Sequence, residues 1–252
     1  MKHFKENAKK ALSEGQTIEA DHVYAIRTLV LNRLKEQKAS SSTKNDTTSF
    51  TCVTQPQVSG GPAENFVGWN GSVDIWENNS TINWTALSDT FPNQSWYADA
   101  LCRLLDATQD WMNVLPNVKF QYVSKAEDAA FALRYGGEGG STIARAFFPN
   151  AEDLNALLVY DIAFTPERLP RLRNTLQHEV GHILGLRHEF ALEGETSSPV
   201  VLFGERNSLS IMSYDANRSI QDSDKFAVRT LYNLPNNSKI GDFSVRRIVP
   251  DN

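Results

Sequence analysis

The stretch HEVGHILGLRH at 178–188 constrains this chain more than any other, because it fixes how three imidazoles stand relative to one another. Three of the chain's 5 histidines fall within it. Residues four apart lie on one face of a helix, one turn up, so His178 and His182 point the same way at chelating distance. Gly185 tolerates positive φ, which lets the backbone leave the helix and turn back to present His188 as a third ligand. Three neutral imidazoles with one position left open describe a catalytic zinc site rather than a closed structural one. With Glu179 as the fifth fixed position, such a pattern matches by accident in on the order of one in 10⁵ chains of this length, so ordinary helix histidines are the weaker reading. Leu169, Leu172, Leu176, Val180 and Ile183 recur at three- and four-residue steps as one apolar stripe, with His178 and His182 expected on the opposite side.

The chemistry follows from the residue types. An ion held by three neutral ligands keeps its charge and lowers the pKa of a coordinated water towards about 7. Glu179 stands next to His178, where a carboxylate can act as general base and then hand the proton to a leaving amine.

The stretch is similar to the extended zinc signature H-E-x-x-H-x-x-G-x-x-H of the metzincin metalloproteases, which implies a methionine turn further on. SIMSY at 210–214 supplies one, with Met212 in the expected place and Tyr214 two residues later. A tyrosine at this point resembles astacins and serralysins, where it ligates the resting zinc and swings away to stabilise the transition state. Glu189 also resembles astacins, whereas STIARAFFP at 141–149 resembles the upper-rim strand of matrixins, so the subfamily features are mixed. The resemblance spans roughly 66–252 and implies an α+β zincin: a twisted mixed sheet, a backing helix, a zinc-binding active-site helix and a small C-terminal lobe after Gly185. It implies a zinc endopeptidase with His178, His182 and His188 as metal ligands, Glu179 and Tyr214 as catalytic groups, and Gly185 and Met212 as structural supports. A rim strand over 142–148 would take an extended protein or peptide substrate by backbone hydrogen bonds. Residues around 205–218 would line the pocket that selects side chains.

Along the chain, Ile18, Val23, Ile26, Val30 and Leu34 mark an amphipathic helix within 1–38, followed by a linker at 39–49 and a VSGGP break at 58–62. Residues 1–65 are therefore read as a helical segment plus linker, a candidate prosegment, and 66–252 as the catalytic domain. SVDIW, TINWTAL, VKFQYV, FALRY, TIARAFF and LLVYDIAF are strand candidates. SWYADALCRLLDATQDWMNVL predicts a long helix, and 222–232 a last one capped by Asp222 or Ser223. The glycines at 136–140 lack the Lys-Ser/Thr of a phosphate-binding loop and read as a flexible connector. Cys52 stands open to three readings: a disulfide with Cys102, a latency switch on the metal, or neither. Asp46 is a second switch candidate.

At 40% hydrophobic over 252 residues the chain can bury a sizeable core. A net charge of −5 argues against nucleic acid as a partner, since phosphate neutralisation needs a basic surface. No apolar run reaches membrane-spanning length. Sequons at Asn45, Asn70, Asn78, Asn79, Asn83, Asn93, Asn217 and Asn236 lean towards an extracellular glycoprotein, although MKHFKENAKKALSEGQ has no apolar core of a signal peptide. A calcium site has no support in the sequence, and oligomeric state leaves no mark on it. A catalytically silent binding protein with structural zinc is the alternative; the intact Glu179 argues against it, and a zinc hydrolase of non-peptide substrates is a third reading.

Overall fold

The computed structural model describes Phe66–Val67, residues 72–152 and 154–189, Val201–Leu202 and residues 207–252. The expected N-terminal segment 1–65, with its helix, linker, Cys52 and Asp46, lies outside the described residues.

In chain order the described elements are β1 (Phe66–Val67), β2 (Ser72–Trp76), β3 (Thr81–Ala86), α1 (Gln94–Val114), β4 (Lys119–Tyr122), β5 (Phe131–Tyr135), β6 (Ala144–Arg145) and β7 (Asn155–Val159). They continue with α2 (Leu172–Ile183), β8 (Val201–Leu202), α3 (Asp222–Asn233), β9 (Lys239–Ile240) and β10 (Phe243–Ile248). The arrangement is mixed α+β. A five-stranded sheet runs β4-β3-β5-β7-β6; its first four strands are parallel, and β6 is antiparallel at the edge. In central β5, Phe131, Ala132 and Leu133 are all buried, as a parallel strand covered on both faces requires. A second sheet, β2-β10-β9, sets β10 parallel to β2 from Ser244↔Ser72 to Ile248↔Trp76. β1 and β8 form a short antiparallel pair.

Helix α1 begins where the Asn93 side chain accepts from the Trp96 N–H at 2.9 Å, and it stops two residues short of Pro116, whose ring cannot continue a helix. Its buried Leu101, Leu104, Ala107, Thr108 and Trp111 keep helical spacing and lie against α2 and the sheet core. α1 and α2 are joined at the surface by Arg173, which donates from Nε to Asp110 at 3.0 Å and from Nη2 at 2.7 Å. Arg173 is half exposed, so this pair contributes no more than about 1 kcal/mol.

Three expectations need correction. The strand expected across TIARAFF is regular only at Ala144–Arg145, with one further bond from the Tyr160 N–H to the Ile143 carbonyl at 3.0 Å; at the sheet edge it has β7 on one side alone, and Pro149 closes the stretch with no N–H. The LLVYDIAF strand starts earlier, at Asn155, and ends at Val159, beyond which Asp161–Phe164 form a tight turn of helix. The last helix is capped by Gln221 rather than Asp222 or Ser223: the Gln221 N–H donates to Asp224 at 2.7 Å, a carboxylate three residues into the motif reaching back. The glycine-rich connector passes close to Tyr160. A Cβ on Gly136 or on Gly139 would fall 2.5 Å from the Tyr160 ring, while Gly137 and Gly140 take φ of +83° and +60°.

Candidate metal centre

Helix α2 carries the site, and all of Gln177–Ile183 is buried, so both the apolar stripe and the face opposite it, which bears His178 and His182, are covered. The stripe residues Leu172, Leu176, Val180 and Ile183 are covered by the core, as expected. Two indole N–H groups grip the helix backbone. Trp111 donates to the Gln177 carbonyl at 2.8 Å, and Trp76 donates to the Ile183 carbonyl at 2.7 Å. The second contact satisfies one of the carbonyls that a helix C-terminus leaves without an internal partner.

The helix ends in a Schellman turn. Gly185, at φ +94°, donates to the His182 carbonyl at 2.8 Å, and Leu186 donates to the Gly181 carbonyl at 3.0 Å. Glycine is required there twice over, since a Cβ would also stand 2.7 Å from the Asp74 carbonyl oxygen. The Tyr232 hydroxyl on α3 secures the same exit by donating to the Leu184 carbonyl at 3.2 Å.

Beyond this turn the chain brings His188 up to the other two rings. His182 Nε2 lies 3.1 Å from His178 Nε2 and 3.1 Å from His188 Nε2. Backbone carbonyls fix which nitrogen of two rings carries the proton. A carbonyl only accepts, so His178 Nδ1–H donates to Ile211 at 2.7 Å and His182 Nδ1–H donates to Leu186 at 2.8 Å. Both Nε2 atoms then present lone pairs to each other with no proton between them. Burial pushes all three imidazoles well below the usual histidine range, His182 to about 3, so protonation does not relieve the contact near neutral pH. Arg218 adds to the burial effect on each ring, and Arg187 does so for His182 and His188. A cation between the rings removes the repulsion. Imidazole nitrogens ~2.0–2.1 Å from a tetrahedral zinc stand about 3.3–3.4 Å apart, close to the spacing found, so the donor set fits that ion.

The other residues expected at the site gather around the rings. Glu179 is fully buried on α2 beside His178. The Tyr214 ring is half-buried, with its centroid 5.0 Å from that of His188 and 6.4 Å from that of His178. Met212 is fully buried, its sulfur against Gly181 of α2, and its carbonyl accepts from the Glu189 N–H at 3.2 Å. Glu189 is itself fully buried.

Sequence reasoning did not single out several neighbours. Phe148 meets the His182 ring edge-on at 5.5 Å, and the Arg187 guanidinium lies 5.9 Å over the Phe148 ring. Arg187 and Arg218 are both about 1% exposed, which no pattern in the chain announces for arginines. Burial lowers Arg187 to about 10, leaving it cationic at neutral pH. Asp224 is also fully buried. Its one local signal was its place three residues after the Gln221 cap.

No family model matches the chain, and no curated protein does. Among solved structures it is similar to the crystal structure of archaemetzincin from Methanopyrus kandleri, at 14% identity and a TM-score of 0.32, over 60% of this chain and 94% of that one.

Proposed function

We propose that this protein is a zinc-dependent endopeptidase of the metzincin type, with His178, His182 and His188 holding the ion through their Nε2 atoms. The observation that carries the reading is the meeting of the unprotonated Nε2 atoms of His178 and His182 at 3.1 Å in a buried site, with His188 Nε2 at 3.1 Å from His182 Nε2. Zinc bound there supplies Lewis acidity, polarising a scissile carbonyl and lowering the pKa of a water towards about 7. Glu179 takes the proton of the attacking water and returns it to the leaving amine. The Tyr214 hydroxyl donates a hydrogen bond to the oxyanion as it forms. Ala144–Arg145, an antiparallel edge strand, aligns an extended peptide by backbone pairing. In this reading residues 207–252 belong to the lower lobe, and those at 207–218 shape the side-chain pocket.

The reading is tested by casein hydrolysis with and without a chelator, and with Glu179→Ala. Activity abolished by both is expected; activity indifferent to both rejects the peptidase. A protein that binds zinc but cleaves nothing, before or after the substitution, would instead match a silent binding module.

Export from the cell is proposed on the sequons, of which Asn79, Asn93, Asn217 and Asn236 are exposed. Glycosidase treatment of protein from its native source should lower its mass, and an unchanged mass rejects the proposal.

A further inference from the structure

Asp224 lies on α3, away from the helix that bears His178, yet its carboxylate is bound to the loop that orients that ring. One oxygen accepts from Ser210 Oγ at 2.5 Å, and the other accepts from the Ile211 N–H at 3.1 Å and from the Gln221 N–H at 2.7 Å. Ser210 Oγ in turn accepts from the Met212 N–H at 3.0 Å. The Met212 N–H and the Ile211 carbonyl are opposite ends of one planar peptide unit, and that carbonyl accepts from His178 Nδ1 at 2.7 Å. The unit is held at both ends: by Ser210, and through it Asp224, on one side, and by the imidazole on the other. Capping of α3 accounts only for the Gln221 contact. A cap carboxylate stands commonly in water, whereas Asp224 and Ser210 are 0% exposed and the remaining bonds all go to the Met212 loop. Burying a carboxylate costs several kcal/mol unless its lone pairs are satisfied, so this arrangement persists only with those bonds intact.

We propose that Asp224 is a positioning residue for the metal centre: through Ser210 and the Ile211–Met212 peptide it sets the direction of the carbonyl that fixes the tautomer and tilt of His178. Partners of this kind behind a ligating imidazole hold its lone pair on the ion, and their loss weakens metal binding about 10-fold or more. The inference rests on the three histidines binding metal, and not on peptidase activity.

The full chain is compared with Asp224→Ala, Ser210→Ala and Val228→Ala, the last a cavity variant at a fully buried position of the same helix. Zinc affinity is read by chelator competition, coordination by the visible spectrum of the cobalt-substituted protein, and stability by denaturant unfolding. Asp224→Ala is expected to lose roughly 10-fold in zinc affinity and to shift the cobalt spectrum. Ser210→Ala should move both in the same direction by less, while Val228→Ala loses stability and keeps both unchanged. Wild-type affinity and spectrum in Asp224→Ala, or an equal loss of affinity in Val228→Ala, overturns the positioning role. If Asp224→Ala does not fold, Ser210→Ala decides, since it keeps the buried carboxylate with its two backbone bonds. A wild-type chain that takes up no zinc rejects the metal reading itself, whereas indifferent variants of a zinc-binding chain reject only this inference.

Discussion

The sulfur of Met212 occupies the space that a Cβ on Gly181 would need. Gly181 is the one point between His178 and His182 where α2 exposes bare backbone, and the Met212 loop closes on it there. This contact lets the adjoining Ile211 carbonyl reach His178 Nδ1. Gly181→Ala should therefore destabilise the fold by about 1–3 kcal/mol through overpacking. Shortening the other partner should relieve it, so the double variant Gly181→Ala with Met212→Ala should cost less than the sum of the two singles. Denaturant unfolding of the four proteins measures this coupling, and strict additivity contradicts the contact.

Gly185 is subject to two constraints, a left-handed backbone and a close approach to the Asp74 carbonyl oxygen. Gly185→Ala meets a backbone cost of about 1–2 kcal/mol and, in addition, a clash that β2 can relieve only by moving. The turn also places Leu186 for its bond to His182, so zinc affinity should fall together with stability. An alanine variant with wild-type unfolding energy and zinc affinity refutes this account.

Acid should unfold the metal-free protein steeply. Burial holds the folded pKa values of His178, His182 and His188 below the value of about 6.5 that histidines have in an unfolded chain. Below that pH the unfolded chain binds more protons than the folded one, so stability is complete above about 6.5 and is lost as pH falls towards the folded values. Each ring withdraws up to about 1.4 kcal/mol per pH unit in that window. Unfolding free energies between pH 7.5 and 5 should show the slope, and His178→Asn should reduce it. A flat profile excludes three buried neutral imidazoles.

Trp76 contributes more than apolar bulk, because its indole N–H satisfies the Ile183 carbonyl at the end of α2. Trp76→Phe keeps most of the packing and strands that carbonyl, at a cost of about 1–3 kcal/mol. Hydrogen exchange should rise in the last turn of α2 ahead of the rest of the helix. Uniform protection along α2 in the variant goes against the predicted role.

Much of the site is written locally. Four-residue spacing puts His178 and His182 on one face of any helix, and the need for Gly185 follows from the turn that returns His188. Helix α1 was equally plain, because Tyr97, Leu101, Leu104, Ala107, Trp111 and Val114 repeat at three- and four-residue steps along it. Strands β9 and β10 went unread. FSVRRI carries two adjacent arginines, and β10's partner β2 lies at the other end of the described chain, so no local pattern signals the pairing. That the face bearing His178 and His182 is buried as well went unread for a related reason: an apolar stripe shows which face must be covered, and says nothing of what covers the other.

By itself, then, the sequence determined the histidine triad, the helix that presents its first two rings and the glycine that ends that helix, because helix periodicity and backbone sterics act over a few residues. Tertiary structure alone decided the rest: that Ile211 and Leu186 hold the ring protons, that Met212 fills the gap at Gly181, that Trp76 and Trp111 fasten α2, and that Asp224 stands behind His178. Each of these partnerships, save the four-residue link to Leu186, joins segments distant in the chain. Which donor meets which acceptor depends on how the whole core closes, and period and propensity carry no record of that.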